Sequence, residues 1–166
     1  MEHSVFIGLG SNQGEKIKIC EQTIKEILSQ TEGLLLSRSS WYYSEPWGNE
    51  DQDWFVNGVI QIKTELRPDE LLTKFKKIEK RLGRTNREKW GPRFIDIDIL
   101  FYDDLFLESP EIEIPHPRIW ERNFVLIPFA EIASQFVHPV FKKTIKELLR
   151  TSSDRKKVLK VSEELP

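Results

Sequence analysis

With 166 residues, 39% hydrophobic and 31% charged, the chain is long enough for one domain with a core and a site, and too short for two ordinary domains. No apolar run approaches the roughly 18 residues of a membrane span. Met1-Glu-His-Ser ahead of a short apolar strand lacks the basic start and long apolar stretch of a signal peptide, and the single cysteine, Cys20, leaves no internal disulfide or cysteine metal cluster, so a cytoplasmic location is expected. The net charge of −2 conceals an asymmetry. Between Lys74 and Arg93 nine Lys or Arg face only Glu79 and Glu88, a balance of +7 that leaves −9 elsewhere. A basic segment running into paired acids suits a polyanion handled with a metal, although its helical half also suits a plain solvated face.

Taken in order, Ser4 to Leu9 predicts a first strand, and Gly8-Leu-Gly-Ser-Asn-Gln-Gly14 a turn into the next helix. Its glycine spacing is not the dinucleotide fingerprint, and no Lys-Ser/Thr follows as in a phosphate-binding loop. Ile17, Cys20, Ile24, Ile27 and Leu28 recur at helical spacing, with Gly33 as the stop. Leu34 to Tyr43 reads as a second strand, and the Pro-, Gly-, Asn- and Asp-rich Ser44 to Asp53 as a loop. Trp47 beside Gly48 is hard to bury in such a loop, so a stacking surface for a flat heterocycle competes with core packing. Phe55 to Leu66 alternates as a third strand, with Asn57 polar near its start. Pro68-Asp-Glu opens a second helix, whose stripe is Leu71, Leu72, Phe75, Ile78 and Leu82. Gly83 closes it, and Arg84 to Lys89 makes a basic loop.

Next comes Trp90-Gly-Pro-Arg-Phe-Ile-Asp-Ile-Asp-Ile99, in which Ile95, Ile97 and Ile99 alternate with Asp96 and Asp98. A strand puts the two acids on one face about 7 Å apart, where they repel by roughly 2 to 3 kcal/mol at an effective dielectric of 20. Asp is a poor strand residue, so the pair needs a reason. A Mg²⁺ ion, usually held by one or two carboxylates with phosphates and water, supplies one; neighbouring Lys or Arg on a solvated face supplies another. The chain then turns at Asp103-Asp104. Ile112 to Ile114 predicts an edge strand before Pro115-His-Pro117, where His116 is either an inert loop residue or a hydrogen-bond donor to phosphate. Arg118, Arg122 and Asn123 precede a helix over Phe124 to Ala133. A short helix over Thr144 to Arg150 leads to a charged tail, 151–166, expected to fray in part. The order β-α-β-β-α-β predicts an α+β, ferredoxin-like core: an antiparallel sheet with both helices on one face, the other face open for ligand, and an extra C-terminal hairpin and helices. Residues 1–166 read as one domain.

Four blocks resemble the 6-hydroxymethyl-7,8-dihydropterin pyrophosphokinase family of folate biosynthesis. They are Gly8-Leu-Gly-Ser-Asn12; Pro46-Trp-Gly with Asp51-Gln52 through Asn57; Gly83-Arg84 followed by Trp90-Gly-Pro-Arg-x-Ile-Asp-Ile-Asp; and Pro115-His-Pro-Arg with Arg122-x-Phe124. The resemblance implies an ATP-dependent transferase that moves pyrophosphate onto the pterin's hydroxymethyl oxygen and releases AMP. It implies Asp96 and Asp98 as ligands of two Mg²⁺ ions, and Arg84, Lys89, Arg93, Asp96 and Asp98 as the catalytic set. ATP would meet Arg84, Arg93, His116 and Arg122 at its phosphates and Ile99, Ile112, Glu79 and Lys76 around adenine, with Trp90 closing over it. The pterin would be sandwiched by Phe55 and Phe124, read by Asn57 and the stretch Ser44, Glu45, Pro46 and Trp47, and approached by Asp96. The family further implies small-molecule substrates, no nucleic-acid or membrane partner, and a monomer. Phe94 departs from the small polar residue usual there, and Asn86 and Arg87 leave the second loop arginine open. A metal-dependent nucleotidyltransferase shares the acid pair and basic loop. A single-stranded RNA-binding module shares the aromatic sheet, but paired acids would repel RNA phosphates.

Overall fold

The computed structural model describes residues 1–46, 51–82 and 94–162; Trp47, Arg84, Asn86, Arg87, Lys89, Trp90 and Arg93 lie outside the described residues. Along the chain run β1 (His3–Ser11), α1 (Lys16–Thr31), β2 (Leu34–Arg38), β3 (Tyr42–Ser44), β4 (Phe55–Thr64), α2 (Pro68–Arg81) and β5 (Asp96–Tyr102). A hairpin of β6 (Leu107–Glu108) and β7 (Glu113–Ile114) follows, then α3 (Asn123–Ala133), α4 (Ile145–Arg150) and β8 (Val158–Lys160). The antiparallel sheet has the order β5-β1-β4-β3-β8, with β2 also on β4. Helices α1 and α2 cover one face, where Val5, Ile7 and Leu9 of β1 meet Ile24 and Ile27 of α1 and Leu71, Phe75 and Ile78 of α2. This is the expected ferredoxin-like arrangement, and β6–β7, α3 and α4 are its C-terminal additions.

Four expectations are corrected. Gly8 and Gly10 belong to the body of β1, which runs to Ser11, so the turn begins only at Asn12. The left-handed residue that ends α1 is Glu32, at φ 51°, one before Gly33. The second strand is two: Leu36 is skipped between the pairs Leu35–Ile62 and Ser37–Gln61, and the Ser39 hydroxyl takes over the ladder by accepting from the Val59 N–H at 2.9 Å. Trp41 then turns in over Gly58, its ring 2.5 Å from where a Cβ would stand, so only glycine fits under it. Beyond these, the tail, expected to fray in part, contains β8, which pairs residue for residue with β3.

The fourth correction concerns the second face, expected to be open. Phe6, Val59, Leu100 and Phe101 bury there against Leu126 and Phe129 of α3 and Ile145 and Leu148 of α4. Phe101 can do so because β5 carries a bulge: Phe6 pairs with Phe101 but Ile7 with Ile99, leaving Leu100 extra. The bulge reverses the alternation, so Phe101 joins the face that carries Asp96 and Asp98. The aromatic cluster thus occupies the Phe6 end of this face, and among the described residues the Gly10 end lies beyond it. Two contacts fasten β5 from its outer edge. The Glu79 carboxylate of α2 accepts from the Ile97 N–H at 2.8 Å, and the Leu100 carbonyl accepts from the His116 N–H at 3.0 Å. Among the described residues no helix is long and apolar enough to cross a membrane.

Candidate active site

Strand register assembles the site. Gly10 lies opposite Asp96 on one side and Asn57 on the other, and Gly8 lies between Asp98 and Val59. Directly paired residues share a face, so the carboxylates and Asn57 overlook a floor of two glycines, with Asp96 and Asn57 about 10 Å apart across two strand spacings. A Cβ on Gly10 would stand 2.7 Å from Asn57 Oδ1. Strand β1 can offer a bare floor only because both positions lack side chains, and the two-residue spacing of Gly8 and Gly10 was the signal that sequence reasoning passed over.

Asn57 is 5% exposed, and its amide nitrogen donates to the Ser44 hydroxyl, itself buried in β3. That bond leaves Asn57 Oδ1 as the acceptor over the floor. Phe55, two residues earlier on the same face, comes within 3.8 Å of the Gly10 Cβ position. The loop behind it is tied from the helix side, by Asn12 Nδ2 to Gln52 Oε1 at 2.7 Å and by Lys16 Nζ to the Trp54 carbonyl at 2.8 Å. Neither Asn12 nor Lys16 stood among the expected site residues. Phe94 lies over Gly14, where φ is +75° and a Cβ would meet the ring at 3.1 Å. Its bulk thus fills the turn after β1.

Opposite the acids stands Arg122, just before α3 and half-buried. Burial pulls its guanidinium below the usual range, while the fields of Asp98 and Asp96 pull it back up. Its Nε is buried without a hydrogen-bond partner among the described residues, and its guanidinium lies 5.7 Å from the centre of the Phe124 ring. A buried, incompletely satisfied cation near two carboxylates is an arrangement that an added phosphate completes. His116 is held beside it by the backbone bond to Leu100. Its Nδ1 accepts from the Arg118 N–H at 3.2 Å, which leaves the ring proton on Nε2 as a donor. Burial first, then Arg122, push its pKa down to about 4, with Glu113 opposing, so the ring is neutral at pH 7.

A stability prediction follows from that shift. The unfolded chain binds a proton at His116 near pH 6.5 and the folded one only near pH 4, so stability is full above 6.5 and falls as pH drops through this window. With the ring still partly in contact with solvent, the loss attributable to His116 is about 1 to 3 kcal/mol. Urea midpoints at pH 4.5 and 7.5 should therefore differ less in His116→Gln than in the parent chain; equal differences would refute the assignment.

Of the other expected residues, Ile99 is buried and Ile112 partly so, both in the apolar cluster with Phe75. Glu79 is buried with its carboxylate on β5, whereas Lys76 projects to solvent from α2. Pro46 is buried; the Glu45 carboxylate accepts from the Lys157 N–H at 2.6 Å. Asp96 is half-buried and Asp98 exposed. No group of three or more His, Cys, Asp or Glu side chains converges among the described residues. Two carboxylates on one open face are hard oxygen donors that fit Mg²⁺ with a phosphate substrate and fit poorly a metal wanting a full protein cage.

A profile of the 7,8-dihydro-6-hydroxymethylpterin-pyrophosphokinase (HPPK) family matches residues 6–134. A 2-amino-4-hydroxy-6-hydroxymethyldihydropteridine pyrophosphokinase of Aquifex aeolicus is 43% identical over 145 residues, 87% of this chain and 89% of that protein. Its namesake from Methylorubrum extorquens is 42% identical over 145 residues, 87% and 90% of the two chains. Among solved structures, wild-type Plasmodium falciparum HPPK-DHPS superposes with a TM-score of 0.70 at 16% identity, over 90% of this chain and 44% of that longer one, a likeness of fold.

Proposed function

This chain belongs to the 7,8-dihydro-6-hydroxymethylpterin-pyrophosphokinase family, and we propose that the glycine-floored end of its sheet is where pyrophosphate passes from ATP to the pterin in folate biosynthesis. The observation that carries this reading is the row Asp96–Gly10–Asn57 across three strands, with Arg122 facing the acids. It sets a phosphate-handling pair beside a buried amide suited to a flat heterocycle. The hydroxymethyl oxygen bonds to the β-phosphorus as the bond from that phosphorus to the α–β bridging oxygen breaks. AMP departs with the bridging oxygen, and the hydroxyl proton is lost to solvent.

Asp96 and Asp98 would hold two Mg²⁺ ions, which when bound supply neutralising charge at the phosphates and acidify the acceptor hydroxyl. Arg122 offers the triphosphate a planar fork, and neutral His116 an Nε2–H donor, so between them they orient the chain of phosphates by charge and by direction. Arg84, Lys89 and Arg93 would add charge from the basic segment, and Trp90 would exclude water. Ile99 and Ile112 would flank adenine, with Glu79 and Lys76 beside it. On the pterin side Asn57 Oδ1 accepts from the ring's N–H edge, because Ser44 holds the amide in that orientation. Phe55 and Phe124 stack the ring; Pro46, Trp47 and the backbone near Ser44 and Glu45 line its edge. Leaving Asn57 unpaired would be costly, and that cost discriminates against heterocycles with a different edge. We take the enzyme to work as a cytoplasmic monomer and single domain on small-molecule substrates.

The test is product identity. Incubated with MgATP and 6-hydroxymethyl-7,8-dihydropterin, the protein should release AMP in step with pterin pyrophosphate. ADP in place of AMP would refute attack at the β-phosphorus, and pterin linked to AMP would indicate nucleotidyl transfer instead.

A further inference from the structure

The two walls assigned to the pterin come from distant parts of the chain, and one segment touches both. Asp154 lies at the start of α3: its Oδ2 accepts from the Asn123 N–H at 2.8 Å, and its carbonyl accepts from Asn123 Nδ2 at 3.4 Å. Phe124 is the next residue. Three residues after Asp154, the chain reaches the other wall. The Glu45 N–H donates to the Lys157 carbonyl at 3.1 Å, and the Lys157 N–H donates back to Glu45 Oε1 at 2.6 Å. From there β8 runs along β3, pairing Val158 with Ser44, Leu159 with Tyr43 and Lys160 with Tyr42, and the Val161 N–H closes on the Trp41 carbonyl at 2.9 Å.

Burial explains little of this attachment, since of its residues Val161 alone joins the core cluster. Leu159 is 54% exposed and Lys160 is exposed, while Val158 is only partly covered. What the segment contributes is directed hydrogen bonds, and these fall on the α3 start and on the strand that presents Ser44, the residue that orients Asn57. We propose that residues 154–161 are a strap that sets the spacing between the two pterin walls, with Asp154 and Glu45 as its clamps. Glu45 is then a positioning residue that acts through Lys157 rather than on the substrate. The inference rests on Phe124, Ser44 and Asn57 being pterin contacts.

Full-length Asp154→Ala, Asp154→Asn and Phe124→Ala test it, with kcat, the KM for pterin and the melting temperature measured for each. Losing the cap should raise the pterin KM of Asp154→Ala about tenfold with kcat within about twofold, a size typical of a lost helix-terminal acceptor. Asp154→Asn, which keeps an acceptor oxygen, should recover most of the loss. An unchanged pterin KM in Asp154→Ala, alongside a raised one in Phe124→Ala, would overturn the strap while leaving the pterin wall intact. A fall in kcat that tracks the melting temperature, with no KM effect and no rescue by Asn, would also overturn it, as a merely structural role. An unchanged pterin KM in Phe124→Ala would overturn the pterin wall itself, and the strap with it.

Discussion

Replacing Asp96 or Asp98 by Ala should abolish turnover, by about 10³-fold or more, in a protein that still folds. The loss is large because, among the described residues, the carboxylates are the only acids on the sheet face that the reading assigns to the phosphates, and electrostatic stabilisation is the largest lever in phosphoryl chemistry. The fold should survive because Asp98 is exposed, Asp96 is half-buried, and β5 draws its packing from Ile97, Ile99, Leu100 and Phe101. Stability should therefore move by no more than about 1 kcal/mol. AMP release at saturating Mg²⁺ and a urea melt check the two halves separately. Near-parental turnover in either variant would remove that residue from the metal site.

Arg122→Met should act in opposite directions on stability and on substrate binding. In the ligand-free protein the guanidinium is half-buried, its pKa lowered by burial, and its Nε has no partner among the described residues. An apolar side chain of similar length avoids that desolvation, so the variant should be more stable by about 1 kcal/mol. With ATP the same change removes a charged fork from the phosphates, and the ATP KM should rise about 100-fold, the equivalent of one strong charge-assisted contact. Arg122→Lys should recover little, since a point charge does not reproduce the fork. A stabilised variant with unchanged ATP KM would show that Arg122 faces the acids for a reason other than phosphate.

How much of this was legible depended on whether the information was local. Asp96 and Asp98 stand out because a two-residue alternation reports a strand face without knowledge of any partner strand. The stripe of α2 and the break at Pro115-His-Pro117 are local in the same sense. Gly8 and Gly10 misled because glycine beside Ser and Asn signals a turn; only pairing with Asp96 and Asn57, 86 and 47 residues from Gly10, turns them into a floor. The bulge at Leu100 was equally hidden, since nothing in Ile99-Leu-Phe-Tyr102 announces a skipped partner. The covering of the second face had a signal: Phe124, Val125, Leu126, Ile127 and Phe129 leave α3 without a polar side at its start, which suits a helix packed into a core. In the tail, charged side chains masked a strand whose pairing uses only backbone. Trp47, Arg84, Lys89, Trp90 and Arg93 fall outside the described residues, so their roles rest on motif alone.

The strap has a second consequence, for how the protein behaves in a crowded solution. An open sheet is a template for strand addition wherever its outermost backbone is bare. At one end of this sheet the Ile97 N–H is engaged by Glu79 and the Leu100 carbonyl by His116, so β5 offers a broken row of partners. At the other end β8 hides the edge of β3 and presents its own three residues instead, closed by Lys160. A short outer strand carrying a lysine is a poor seed for a growing ladder. The same few residues proposed to hold the pterin walls in register would thus help keep neighbouring copies from zipping together.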